Sequence, residues 1–232
     1  MEEQRISAEA FTEAFDTALD RAYDEEKARM DELGTRVGAS SVRKEIVIRI
    51  SLESMGLPSS VIVEGDLGLT RFRTEHMEPN GQKVFLGTLD LEGLTVEGDL
   101  DIRDLTFAGR GARLNLRNVS VEGDLYLVLL EIQRGNLVES GELYVDLEAA
   151  QVQGVGKLVG AIEGSLILVN TRFQTCLEQD DLEMVNEIWT NPSNAQLVAL
   201  ACPGIPVFQV RDVVRWRERL NERNGWPTDA RG

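Results

Sequence analysis

The 232 residues carry 24 Lys and Arg against 40 Asp and Glu, a formal net charge of −16, with 42% hydrophobic and only 6% aromatic residues. That balance argues against direct binding to a phosphate backbone and makes any charged partner a basic one. A single histidine, His76, and two cysteines 26 positions apart, Cys176 and Cys202, exclude multi-histidine metal sites, familiar catalytic triads and a disulfide framework.

Residues 1 to 40 read as an N-terminal amphipathic helix acting as a cap. From about 7 to 33, Phe11, Phe15, Ala18, Leu19, Ala22, Met30 and Leu33 approximate helical spacing, with Ser7 placed to cap the start and Gly34 the end. Residues 1 to 33 hold eleven acids and four bases, a charge of −7. Such a helix either covers an open end of the following β-structure or docks a partner. The start, Met1-Glu-Glu-Gln-Arg5, lacks the apolar segment of a secretory leader, and no apolar run approaches the roughly 18 residues of a membrane span. A cytoplasmic protein without membrane contact is expected.

Residues 41 to 175 read as strands, beginning with the clean alternation of Ile46-Val-Ile48-Arg-Ile50-Ser-Leu52. One short phrase then recurs: Val63-Glu-Gly-Asp-Leu67, Val96-Glu-Gly-Asp-Leu100, Val121-Glu-Gly-Asp-Leu125 and Ile162-Glu-Gly-Ser-Leu166. Val96, Leu100 and Ile102 share one side while Glu97, Asp99, Asp101 and Arg103 share the other, the period of a strand. A second motif precedes it, Leu89-Asp-Leu91-Glu-Gly-Leu94 aligning with Leu114-Asn-Leu116-Arg-Asn-Val119, and more loosely with Val145-Asp-Leu147-Glu-Ala-Ala150. The fold class predicted is mainly β: a parallel β-helix, or β-solenoid, with an N-terminal helix and a helical C-terminal region. A leucine-rich repeat is the rival, but its helical return path does not suit the Gly-rich, strand-like segments here.

The repeated Glu-Gly-Asp has two readings. Gly supplies a left-handed corner that Asp caps, the favoured one, or stacked carboxylates at Glu64, Glu97, Glu122 and Glu163 form a ladder that draws cations. Asp99, Asp101, Asp104 and Arg103 are the only cluster that an acid-catalysed mechanism could use, and nothing in the sequence separates them from a solvated face. His76 lies in a polar, Pro-containing stretch and reads as a loop residue. The chain is therefore expected not to be an enzyme, and to need no cofactor or metal.

Two strands are apolar on both faces, Tyr126-Leu-Val-Leu-Leu130 and Leu166-Ile-Leu-Val169, so something is expected to cover them: a helical flank or another molecule. The last segment, 176 to 232, reads as helical from 177 to 200, broken at Cys202-Pro203-Gly204-Ile205-Pro206, with a final helix from about 209 to 224. That helix holds Arg211, Arg215, Arg217, Arg219 and Arg223, and gives residues 209 to 232 six Arg against four acids. It either pairs with the chain's own acidic surface or faces outward, where Arg and Trp anchor interfaces. The residues expected to bind a protein partner are Tyr126, Val128, Ile167 and Val169 on the apolar outer face and Arg211, Arg215, Trp216 and Arg219 on the last helix.

The phrase Leu91-Glu-Gly-Leu-Thr-Val-Glu-Gly-Asp-Leu-Asp-Ile102 resembles bactofilins, bacterial cytoskeletal β-helices that polymerise end to end. The resemblance covers about 61 to 173 and implies a β-helix and a bacterial origin, with self-assembly as one activity. It carries no functional residues over to this chain. The function expected is a non-catalytic interaction or scaffolding protein that binds another protein, possibly a basic one. The alternatives are a self-assembling filament or homo-oligomer, and an acidic DNA mimic that occupies a nucleic-acid-binding protein.

Overall fold

Apolar residues at every second position give short strands with alternating burial, and one such strand sets the pattern for the rest. In Leu100–Phe107, Leu100 and Ile102 point inward, Asp104 takes a left-handed conformation (φ 56°), and Leu105 and Phe107 then point inward on the shifted parity. A single residue thus bends the strand without exposing its apolar side. Leu129 (φ 50°) does the same 25 positions later, between the buried Leu127 and Leu130.

The computed structural model describes residues 4–37, 45–70, 83–109, 111–132 and 142–226. In chain order these form β1 (Gln4–Ser7), α1 (Ala8–Val37), β2 (Glu45–Ser51), β3 (Val61–Glu64), β4 (Leu67–Thr70), β5 (Lys83–Asp90) and β6 (Leu94–Val96). There follow β7 (Leu100–Phe107), β8 (Arg113–Asn115), β9 (Ser120–Val121), β10 (Leu125–Ile132), β11 (Leu143–Asp146), β12 (Gln151–Val152) and β13 (Val155–Leu168). The C-terminal part holds β14 (Arg172–Phe173), β15 (Cys176–Thr190), α2 (Ala195–Ala201), β16 (Val207–Gln209) and α3 (Val213–Asn224).

Every pairing among the described strands is parallel. One sheet has six strands in the order β1-β3-β6-β9-β12-β14, and a ten-stranded sheet takes the others. In the larger sheet Leu67, Leu100, Leu125, Gly156 and Leu177 are successive partners, steps of 33, 25, 31 and 21 residues. The smaller sheet advances by the same steps through Val61, Leu94 and then Thr95, Ser120, Gln151 and Arg172. Residues of both sheets enter one hydrophobic core, with Val63, Leu89, Val96, Ile102, Leu114, Val121, Leu127 and Leu147 fully buried.

Two sequence expectations are corrected by these registers. Ile162-Glu-Gly-Ser-Leu166 is not a fourth equivalent of the phrase, because it lies inside β13 with Gly164 against Leu143. The place after Val121-Glu-Gly-Asp-Leu125 is held by Val152-Gln-Gly-Val155, where Gly154 donates to the Gly123 carbonyl at 2.9 Å. The stretch 177 to 200 is also not one helical region. Residues through Thr190 are strand, paired along β13, and only Ala195–Ala201 is helical before the break. Leu177, Leu182, Val185 and Ile188 imitate a helical stripe, but pairing with β13 decides the conformation.

α1 packs on β1, β2, β3 and β4, the first strands of the sheets, and buries Phe11, Phe15, Ala18 and Met30 in the core. The Ser7 hydroxyl accepts the Ala10 N–H at 3.2 Å, as a cap should, while the helix continues through Gly34 to Val37. At the other margin α2 lies against β15 and β16, and Val198 and Cys202 close over the same core. No helix among the described residues is long and apolar enough to cross a membrane.

Candidate functional site

The repeated phrase builds a ladder of side chain to backbone bonds. Asp66 Oδ1 accepts the Asp99 N–H at 2.9 Å, Asp99 Oδ1 accepts the Asp124 N–H at 2.7 Å, and Asp124 Oδ1 accepts the Val155 N–H at 2.7 Å. Each carboxylate therefore satisfies a peptide donor of the next copy, where its own strand has just ended. The Val155 N–H and the Tyr126 hydroxyl hold the Asp124 carboxyl below its ordinary range, and the same bond raises the Tyr126 phenol.

The glycines make that contact sterically feasible. A Cβ on Gly98 would meet Asp66 Oδ1 and lie 2.7 Å from the Gly65 carbonyl carbon, and Gly123 and Gly154 stand in the same relation to Asp99 and Asp124. Only Gly65 of the phrase has a positive φ. Apart from Gly65, the left-handed conformation expected there falls in the other motif and the loops aligned with it, at Gly93, Asn118, Ala149 and Asn170. Glu64 and Glu122 are exposed and Glu97 is half-buried. Arg5 reaches both Glu64 and Glu97 from β1, so these two like charges receive a cation from the chain itself.

The second motif builds a different object. Asp90, Asn115 and Asp146 are register neighbours at the ends of β5, β8 and β11. Asn115 Nδ2 donates to Asp90 Oδ1 at 2.7 Å. Asp146, completely buried, accepts from Arg113 Nη2 at 2.5 Å and from Arg217 Nη1 and Nη2 at 2.6 and 3.0 Å. Burial pushes the Asp146 carboxyl up, but Arg113, Arg217 and the Glu148 N–H outweigh it and leave it below the ordinary range. Arg217 also binds Glu148, and Arg117 lies 3.7 Å from both Glu92 and Glu148.

Through Arg217 the last helix is fixed to the outer face of the larger sheet. Asp212 caps α3 by accepting the Arg215 N–H, and Gly225 ends it in a left-handed conformation. Leu220 and Val210 pack with Tyr144, Ile167 and Val169, and Trp216 lies 5.6 Å from the Trp189 ring. Trp226 donates to the Gly111 carbonyl at 2.7 Å, stands edge-on to Tyr144, and lies under the Arg113 guanidinium at 4.5 Å.

The residues expected to bind a partner fall into three places. Ile167 and Val169 are fully buried beneath the C-terminal segment, so of the two covers expected for that apolar face, a helical flank or another molecule, the flank takes the place, and these two residues are not open to a partner. Tyr126 and Val128 are half-buried and sit in mixed rows: Tyr126 lies between Asp101 and Lys157, with the Lys157 ammonium 5.1 Å from its ring, and Val128 between Arg103 and Val159. The last helix begins at Val213 rather than at about 209, because Val207–Gln209 pairs with β15 as a strand; Arg211 thus precedes α3 and is exposed, as are Arg215 and Arg219 on it, whereas Trp216 turns inward and half-buries.

Arg217 was one of the helix arginines for which pairing with the chain's own acids was one expected outcome, but Asp146 as the buried partner was not singled out by the sequence. The signal present was a polar residue at one place in three aligned copies, at Asp90, Asn115 and Asp146.

Large apolar side chains left open among the described residues are Leu197 and Leu200 on α2 (68% and 73% exposed), Val214 (71%), Leu129 in β10, and Phe208, which stacks on Trp189. An open groove of about 630 Å³ runs between α1 and β4, with Glu9, Glu13, Asp16 and Asp66 among its walls. Both cysteines are free thiols, and burial pushes Cys202 up to about 11. His76 lies outside the described residues, among which no group of three or more His, Cys, Asp or Glu is placed to hold a metal. Asp101 and Arg103 pair with each other, and Asp104 is a bend residue. No family model, no curated protein and no solved structure matches the chain.

Proposed function

We propose that the chain is a β-solenoid that acts as a non-catalytic interaction or scaffolding module for another protein. The observation that carries this reading is the engagement of the repeated acids by the chain: Asp66, Asp99 and Asp124 each hold a backbone N–H of the next copy, and Arg5 bridges Glu64 and Glu97. The recurring polar residues then serve the architecture. What is left over is surface: the half-buried Tyr126 and Val128 row, the exposed Arg211, Arg215 and Arg219, and the open Leu197 and Leu200. The shared register steps in both sheets and the common core support the solenoid. α1 and α2, which cover the core at its first and last strands, weigh against end-to-end filament growth as in the bactofilin resemblance.

The experiment is partner capture from cell extract by the immobilised full chain, beside Tyr126→Asp/Val128→Asp and Arg211→Glu/Arg215→Glu/Arg219→Glu variants. A partner retained by the parent chain and lost from at least one variant that still elutes at the parent size is the expected result. Retention unaltered in both variants would discard these surfaces.

A further inference from the structure

β15 pairs with β13 along its whole length, from Cys176 against Val155 to Thr190 against Leu168. On its other side β16 pairs only with Ile188, Trp189 and Thr190. Among the described residues no strand lies along the outer edge from Cys176 to Glu187, and α2 closes only the part of the core near Val198 and Cys202. Leu177 and Val185 rest against the core and are partly exposed at this margin. A strand edge of this length presents a row of peptide donors and acceptors that another chain can complete.

The sequence of that edge selects the partner. Residues 176 to 187, Cys-Leu-Glu-Gln-Asp-Asp-Leu-Glu-Met-Val-Asn-Glu, contain five acids and no Lys or Arg. Two such edges meeting would set like charges opposite each other, which disfavours pairing with a second copy. A basic strand meets the opposite situation. On the covered side the register neighbour of Glu178 is Lys157 of β13, and an incoming lysine would take the matching place on the open side.

We propose, resting on the interaction reading above, that the outer edge of β15 is a binding site for an extended protein segment that alternates basic and apolar residues. The segment adds as a further strand: its backbone pairs with residues 176 to 187, its apolar side chains extend the core beyond Leu177 and Val185, and its cations face Glu178 and its neighbours.

The test uses the full chain and a labelled ten-residue peptide alternating Lys and Val, followed by fluorescence anisotropy and by amide hydrogen exchange. The site predicts saturable binding that weakens at least about tenfold between low salt and roughly 0.3 M salt, with slowed exchange confined to amides of 176 to 187. Two further peptides carry N-methyl groups on one or the other alternate set of residues. One of the two should lose at least about tenfold in affinity, since in one phase the methyl groups replace donors aimed at the edge. Glu178→Lys should weaken the parent peptide.

Absence of binding, equal binding of both methylated peptides, or binding without slowed exchange in β15 would each overturn the proposal. None of these results bears on capture through Tyr126 or through Arg211, Arg215 and Arg219, whose own variants decide the interaction reading.

Discussion

The corner of the repeated phrase and the C-terminal flank both rest on aspartates, exposed to half-buried at the corner and fully buried at the flank, and they hold the molecule in different ways. At the corner, Asp66, Asp99 and Asp124 make one bond each to the neighbouring copy, and the same contact recurs with small changes. At the flank, a single Asp146 receives Arg113 from β8 and Arg217 from α3, 71 positions away in sequence. The first is a repeated local contact in which each member carries a small share. The second is one cross-link, formed by charges that have left water, so its partners depend on each other.

Substitutions sharpen that contrast. Asp146→Asn leaves two guanidinium groups facing a neutral amide in a buried place and should destabilise the fold by about 3–5 kcal/mol, read from urea midpoints at unchanged slope. Its pH dependence follows from the lowered carboxyl: the stabilisation is fully present above the ordinary carboxylate value and is lost as pH falls through the depressed one. The gap between parent and Asp146→Asn should thus be level from about pH 5 to 8 and close in acid below about pH 4. A gap that widened in acid would refute the pairing.

At the corner, Gly123→Ala places a methyl group on Asp99 Oδ1 and the Gly98 backbone and should cost about 1–3 kcal/mol, although its φ suits alanine. Asp99→Ala, which only leaves the Asp124 N–H without its acceptor in a part-buried place, should cost about 1 kcal/mol. If Asp99→Ala proved as damaging as Asp146→Asn, the corner would not be a series of independent small contacts.

The repeats themselves were legible in the sequence, because period-2 burial and a fixed phrase report the strand and its neighbour together. The phrase misled once. Ile162-Glu-Gly-Ser-Leu166 has the wording but not the register, and Val152-Gln-Gly-Val155 has the register with little of the wording. Glycine was the common element, since the steric demand falls on Gly154 as on Gly98 and Gly123.

The role assigned to glycine was half right for a physical reason. Both a positive φ and a close approach ask for glycine, and the sequence alone does not tell them apart. β15 was hidden for another reason: its acids disfavour a strand, and only the edge of β13 supplies the partner that makes one. The cover over Ile167 and Val169 was anticipated, but its identity as the chain's own α3 depended on a buried ion pair between distant positions.

We propose that α1 at the first strands and α2 at the last close the core to further copies of the chain. Size-exclusion chromatography with light scattering across a hundredfold range of protein concentration tests it most directly. A covered core should give one discrete species whose mass does not grow with concentration. A mass that climbs steadily into polymers would contradict it and would mean that the margins of the core are open to further copies.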